Sequence, residues 1–166
     1  ALIFGDEGGI SKEWQNKLFY IPNYGDLKLF PVKKSNPDMI RNKCFTILYP
    51  RRISSGNPID HPRGLGLFLK SLEELRKRGF MPRVIFVGPW KYRLFIRKWA
   101  QDNGWAGLFE ILKVEFEQMD SVYARCDVVI VPSTGAEGTS LSAIEGVVSG
   151  KPTVVTHIGG LPNIIV

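Results

Sequence analysis

Residues 128–150 read Val128-Val129-Ile130-Val131-Pro132-Ser133-Thr134-Gly135-Ala136-Glu137-Gly138-Thr139-Ser140-Leu141-Ser142-Ala143-Ile144-Glu145-Gly146-Val147-Val148-Ser149-Gly150. Four β-branched residues in a row make a strand with no polar face, as expected of one covered on both sides. Pro132 closes that run, a glycine-bearing polar loop follows, and a helix carrying Glu145 comes after it. A buried strand feeding a loop and then a helix is the unit of an open parallel sheet, in which ligands bind beyond the carboxyl ends of the strands. Gly135 and Gly138 let backbone amides approach a ligand without a Cβ in the way. Thr139 or Ser140 is placed to cap the helix, whose positive end favours phosphate. The loop is therefore expected to be an anion site.

Working outward, short β-rich runs alternate with segments of helical period from about Phe45 onward. The expected strands are Phe45–Tyr49, Val84–Val87, Phe109–Val114, Val128–Val131 and Thr153–Thr156. Leu65, Phe68, Leu69, Leu72 and Leu75 recur at three- and four-residue spacing before Gly79, which reads as an amphipathic helix with its stop. Tyr92, Phe95, Ile96 and Trp99 repeat that spacing before Gly104, and Met119, Val122, Tyr123 and Cys126 define a shorter helix. Their aromatic rings read as core. The alternation implies crossover connections and a parallel sheet with helices on both faces. Residues 1–40 differ. They are rich in glycine and proline around one apolar run, Leu18–Ile21, and read as a linker or the remnant of another domain, leaving 41–166 as the folded unit. A chain that starts at Ala1 and stops at Ile164, Ile165 and Val166 reads as cut at both ends, and the folded unit as truncated at its C-terminus.

With 166 residues, 44% of them apolar, the chain is long enough for one core. Its apolar runs are too short to span a bilayer. Cys44 and Cys126 lack metal-ligand spacing and read as reduced thiols. A net charge of +6 suits an anionic partner, whether sugar nucleotide, nucleic acid or phospholipid surface, or simply a solvated surface.

Glu137 and Glu145 are eight positions apart, a span of up to about 12 Å at helical rise. Two carboxylates at that separation suit two hydroxyl-bearing parts of one long ligand, because each accepts charge-assisted hydrogen bonds. The bland alternatives are a capping box of Ser142 with Glu145 and a solvated loop acid at Glu137.

At these residues the chain resembles the family 4, group 1 glycosyltransferases. Glu137 and Glu145 form an E-x7-E motif, and Glu137-Gly138-Thr139-Ser140-Leu141 followed by Ile144-Glu145-Gly146 is similar to that family's loop and helix. Asp127–Ser133, Gly150–Thr156 and Gly159-Gly160-Leu161-Pro162 resemble flanking family blocks in the right order, and Ile21-Pro22-Asn23 with Asp26 and Phe30 resembles the segment joining the two halves of such enzymes. The resemblance covers about residues 18–166. It implies the Rossmann-like, nucleotide-sugar-binding C-terminal half of a GT-B fold, acting in retaining transfer from a nucleoside-diphosphate sugar to a glycan or lipid-linked acceptor. It further implies that Glu145 binds the ribose, that Glu137 approaches the donor sugar as the catalytic carboxylate, and that amides around Gly138, Thr139, Ser140 and Leu141 hold sugar and diphosphate oxygens. Arg52 and Arg63-Gly64 take the places of the basic residues that neutralise the diphosphate. The reduced thiols suit a cytoplasmic enzyme and the basic charge an anionic surface at the inner membrane face, with no cofactor and no nucleic acid expected as partner.

Ten residues separate Arg52 from Arg63 where the family usually has about four, so Arg51 stands as an alternative to Arg52. No Asp-x-Asp occurs, so a metal is not indicated. Gly64-Leu65-Gly66 lacks the third glycine of a dinucleotide fingerprint. His61 reads as an exposed loop residue and His157 as loop packing. A nucleotide-sugar epimerase of the same architecture and a non-catalytic anion- or nucleotide-binding module are the competing classes.

Overall fold

A computed structural model describes residues 23, 25, 28–30, 44–53, 55–88 and 90–165. The run Leu18–Ile21, most of the 1–40 segment, and Ile21, Pro22 and Asp26 of the joining motif lie outside the described residues. The elements are β1 Thr46–Pro50, α1 Leu65–Lys77, β2 Arg83–Val87, α2 Arg93–Asp102, β3 Phe109–Leu112, α3 Met119–Arg125, β4 Val128–Val131, α4 Leu141–Val148 and β5 Thr153–Val155. The strands form one sheet in the order β3-β2-β1-β4-β5, and every neighbouring pair is parallel.

Strand periodicity decides which helices go where. Ile47 and Tyr49 of β1 point into a core with Leu65, Phe68, Leu69 and Leu72 of α1 and Ile96 and Ala100 of α2. Leu48 points the other way, into a core with Val122 and Tyr123 of α3 and Ala143 of α4. Helices thus cover both faces, as the near-continuous apolar strands require. Fully burying a Leu or Phe side chain contributes about 1.5–3 kcal/mol, so the four-residue stripe of α1 outweighs anything its intrinsic propensity supplies. The helix ends where expected: the Gly79 amide donates to the Arg76 carbonyl at 2.9 Å and the Phe80 amide to that of Leu75 at 2.9 Å.

The observed strands shift from the expected ones by one or two residues. β1 begins at Thr46 because its first partner, Arg83, begins β2, and β3 ends at Leu112 because its last partner, Val87, ends β2. Phe30, from the segment read as a linker, is buried against Tyr123 and Phe116 in edge-on ring contacts. A Cβ on Gly25 would lie 2.6 Å from Val148 of α4. This part of the segment therefore packs on the α3–α4 face.

After β1 the chain crosses one face to β2, whereas β4 lies on the other side of β1 and leads to β5 across the opposite face. The carboxyl ends of β1 and β4 are consequently the point at which the strand order reverses, where two loops part and leave a crevice.

Candidate functional site

Two loops build the crevice. The one after β1 runs through Arg51, Arg52 and a turn-rich stretch to Arg63; the one after β4 runs from Pro132 to Ser140. They are laced together by backbone. The Pro62 carbonyl accepts the amides of Thr134 at 2.9 Å and Gly135 at 3.3 Å. Gly64 (φ 77°) sits so close to the Pro132 carbonyl that an added Cβ would be 1.6 Å from its oxygen. Only glycine fits there, in conformation and in space. The long insert between the two arginines therefore delivers Arg63 to the mouth of the second loop.

Glu137 is the hub. Its side chain is 8% exposed. Arg63 Nη1 donates to both of its oxygens at 2.8 Å, the Ser133 hydroxyl donates to Oε2 at 2.8 Å, and Arg51 Nη2 also donates to Oε2. Burial alone pulls its carboxyl up, but the Ser133 hydrogen bond and the two guanidinium groups prevail and hold it below the ordinary carboxylate value. The solvated loop acid considered for this position is not what forms.

Arg51 is 4% exposed and grips the loop from beneath, donating to the Ser140 hydroxyl at 2.8 Å and the Ser133 hydroxyl at 3.0 Å. Burial lowers its pKa, the Glu137 carboxylate pulling in the opposite direction. Arg52 is exposed and lines a cleft of about 300 Å³ with His61, Pro62, Arg63, Ala136 and Glu137. His61 is half-buried here rather than exposed, because its Nδ1 accepts the Arg63 amide at 3.1 Å. Burial and the neighbouring Arg63 and Arg51 charges lower its pKa. His157 is exposed.

Ser140 occupies the residue before α4, but its hydroxyl makes no helix cap, since Arg51 holds it. Nor is there a capping box at Ser142, whose hydroxyl donates to the Pro50 carbonyl at 2.7 Å. Gly138 and Leu141 are exposed and Thr139 is half-buried. Glu145 does not line the cleft of Arg63 and Glu137. It is buried on α4, where Tyr123 Oη donates to its Oε2 at 2.8 Å and to the Ser142 carbonyl at 3.2 Å. Desolvation raises the Glu145 pKa, the Tyr123 hydrogen bond offsetting part of that. Arg52, Arg63 and Glu137 are thus brought together, Gly138 to Leu141 follow Glu137 in the chain, and Glu145, bound to Tyr123, is not among the residues that line their cleft.

Several contributors carried no signal strong enough to single them out. Ser133 looked like a loop residue and Tyr123 like core. The loop after β5 proves to be a brace: the Gly160 amide donates to the Glu137 carbonyl at 2.8 Å, and a Cβ on Gly159 (φ 60°) would be 2.0 Å from that same oxygen. Thr156 Oγ1 donates to the Ser133 carbonyl at 2.6 Å. A larger cavity, about 450 Å³, lies at the opposite edge of the sheet, bordered by Thr46, Arg83 and Gly107. Its Arg125 and Glu110 form an ion pair with each other. Among the described residues no three His, Cys, Asp or Glu side chains gather as a metal site would need.

Fold and site define a Rossmann-like α/β domain with its polar cluster at the switch point. The family model for group 1 glycosyl transferases matches residues 50–166, and the chain belongs to that family. An uncharacterized glycosyltransferase of Methanocaldococcus jannaschii is 28% identical over 80 residues, which is 48% of this chain and 22% of that protein. Among solved structures, a glycosyltransferase from Rickettsia africae superposes with a TM-score of 0.72 at 19% identity, over 91% of this chain and 41% of that one. Anabaena HepE in complex with UDP-glucose gives 0.64 at 21% identity, over 87% and 40%. The C-terminal domain of LpcC from Francisella tularensis gives 0.57 at 20% identity, over 87% and 71%. The chain spans 22% of the curated relative and about two fifths of the first two structures. At these identities the structures establish the fold, the GT-B glycosyltransferase type.

Proposed function

We propose that this chain is the donor-binding half of a retaining glycosyltransferase, with residues 41–166 as the nucleotide-sugar domain and residues 1–40 leading to an acceptor-binding half. The observation that carries the reading is the pairing of Arg63 with Glu137 in one cleft at the carboxyl ends of β1 and β4. A guanidinium 42% exposed is available to a diphosphate, and Arg52 lines the same cleft. When diphosphate oxygens take the Arg63 donors, the Glu137 carboxylate is released to accept hydroxyls of the sugar. Amides of Gly138, Thr139, Ser140 and Leu141 hold the remaining sugar and phosphate oxygens.

In transfer, the bond from the anomeric carbon to the diphosphate oxygen breaks, the electron pair leaves with the nucleoside diphosphate, and the acceptor hydroxyl oxygen bonds the anomeric carbon on the same face as its proton passes to the departing diphosphate oxygen. Arg63 and Arg52 stabilise the departing charge. Arg51, buried under the loop, positions Glu137 and Ser140. Glu145 offers its buried carboxylate to the ribose hydroxyls, whose hydrogen bonds offset its desolvation. The acceptor is a glycan or a lipid-linked molecule, and the enzyme works at the cytoplasmic membrane face. The UDP-glucose bound by Anabaena HepE supports a donor of this class.

Calorimetry with UDP, GDP and pyrophosphate tests the reading. Arg63→Met is expected to weaken nucleotide and pyrophosphate alike, and Glu145→Gln to weaken the nucleotide only. Absence of nucleoside diphosphate binding at millimolar concentration, with tight binding to nucleic acid, would replace it with a non-catalytic anion-binding module.

A further inference from the structure

The charge of this chain is not spread evenly. Residues 76–101 contain eight basic side chains, Arg76, Lys77, Arg78, Arg83, Lys91, Arg93, Arg97 and Lys98, and no Asp or Glu, whereas the whole chain nets +6. This one segment therefore holds more than the entire excess, and the rest of the chain is slightly acidic. Seven of the eight side chains are exposed and Arg93 is half-buried.

The fold gathers much of this charge on one outer surface. α1 and α2 cover the same face of the sheet. The C-terminus of α1 meets that of α2 where an Arg76 guanidinium donates to the Asn103 carbonyl. Along the outer side of α2 run Leu94, Arg97 and Lys98, spaced by three and one, and Trp90 stands in the tight turn Trp90–Tyr92 that leads into the helix. The inner side of that helix, with Ile96 and Ala100, is spent on the core. Leu94 is 68% exposed and Trp90 39% exposed, so two large apolar groups stand among cations. Helix propensity does not require either to be apolar there.

We infer that this face of α2 is a docking surface for an anionic lipid bilayer. Apolar side chains ringed by Lys and Arg suit the boundary between acyl chains and charged headgroups, where Leu94 and Trp90 leave water while the cations meet phosphate. A nucleic acid fits less well. The Arg93 guanidinium already lies over the Trp90 ring, 4.8 Å from its centroid, covering a face that a base would stack on. Leu94 gains nothing against a phosphodiester backbone. Two acids adjoin the surface without cancelling it: Asp102 accepts from Lys98 at 2.9 Å, and Glu74 from Lys77 at 2.6 Å. The inference gives a location to the membrane contact of the reading above, but it does not depend on donor binding. Nucleotide titration reports on that reading and vesicle binding on this one.

The test is co-sedimentation of the purified protein with phosphatidylcholine vesicles, with and without phosphatidylglycerol. Binding is expected only with the anionic lipid and should weaken as salt rises. Each cation at the surface is worth about fivefold, so Arg97→Gln combined with Lys98→Gln should weaken binding roughly 25-fold. Leu94→Ser should weaken it by roughly tenfold through the lost apolar insertion. All three positions are exposed, so thermal unfolding should not change. Equal binding to both vesicle types, indifference to these substitutions, or binding to duplex nucleic acid without vesicle binding would each overturn the inference.

Discussion

Replacing Arg51 by Met removes the guanidinium while keeping most of the apolar stem. Three charge-assisted hydrogen bonds disappear, to Ser140, Ser133 and Glu137. Each such bond contributes about 1.5–3 kcal/mol, but the sum overstates the loss. The desolvation of a buried guanidinium is recovered, its Nε has no hydrogen-bond partner, and Glu137 keeps Arg63 and Ser133. The net cost is about 2–4 kcal/mol, at the lower side of what breaking a buried ion pair usually costs. For a chain of this size that lowers Tm by roughly 5–15 °C. Arg63→Met, by contrast, removes a partly exposed partner and leaves Glu137 paired with Arg51, at a cost of about 0–1 kcal/mol. Circular-dichroism melts of the two variants at one protein concentration give the comparison. Arg51→Met within about 1 kcal/mol of the parent, or Arg63→Met as costly as Arg51→Met, would refute the assignment of Arg51 to positioning and Arg63 to the ligand.

The two glutamates should respond to pH in opposite directions. Glu137 is held below its ordinary value of 4.5, so its stabilising contribution is present above that value and fades as pH falls through the lower folded one; urea midpoints of the parent and Glu137→Gln should converge on acidification. Glu145 is held above its ordinary value, so its contribution is present below that value and lost as pH rises through the folded one. Glu145→Gln should therefore be at least as stable as the parent at neutral pH while binding nucleotide less well, and a lower urea midpoint there would contradict this. Gly64→Ala should cost more than about 2 kcal/mol, from left-handed backbone and from collision with the Pro132 carbonyl. Gly138→Ala, which meets nothing within 4 Å, should unfold within about 0.5 kcal/mol of the parent in the same denaturation experiment.

Much of this arrangement was legible in the sequence because the physics that sets it is local. Val128–Val131 is too apolar to be anything but a covered strand, and the stripe Leu65, Phe68, Leu69, Leu72 names its helix by period. The loop from Pro132 to Ser140 announces itself by glycines between strand and helix. Side-chain pairing was not legible, because it depends on which loops meet across the switch point. Nothing near Arg51 in sequence says that Ser133 and Ser140, more than eighty residues on, will take its donors. Glu137 and Glu145 read as holding two separate parts of one ligand, and nothing in their spacing says that Tyr123, itself read only as core, takes Glu145 as its hydrogen-bond partner. The insert before Arg63 looked like a departure from the family pattern, and its consequence appears only once Pro62 and Gly64 are seen bound to the second loop.

Backbone amide NMR during titration with UDP tests most directly where a donor sits. Shifts are expected at Arg63, Gly64, Gly138, Thr139 and Ser140, with a smaller change at Glu145. Shifts confined to the opposite edge of the sheet, around Thr46, Arg83 and Gly107, or no shifts at saturating nucleotide, would contradict a donor site at the ends of β1 and β4.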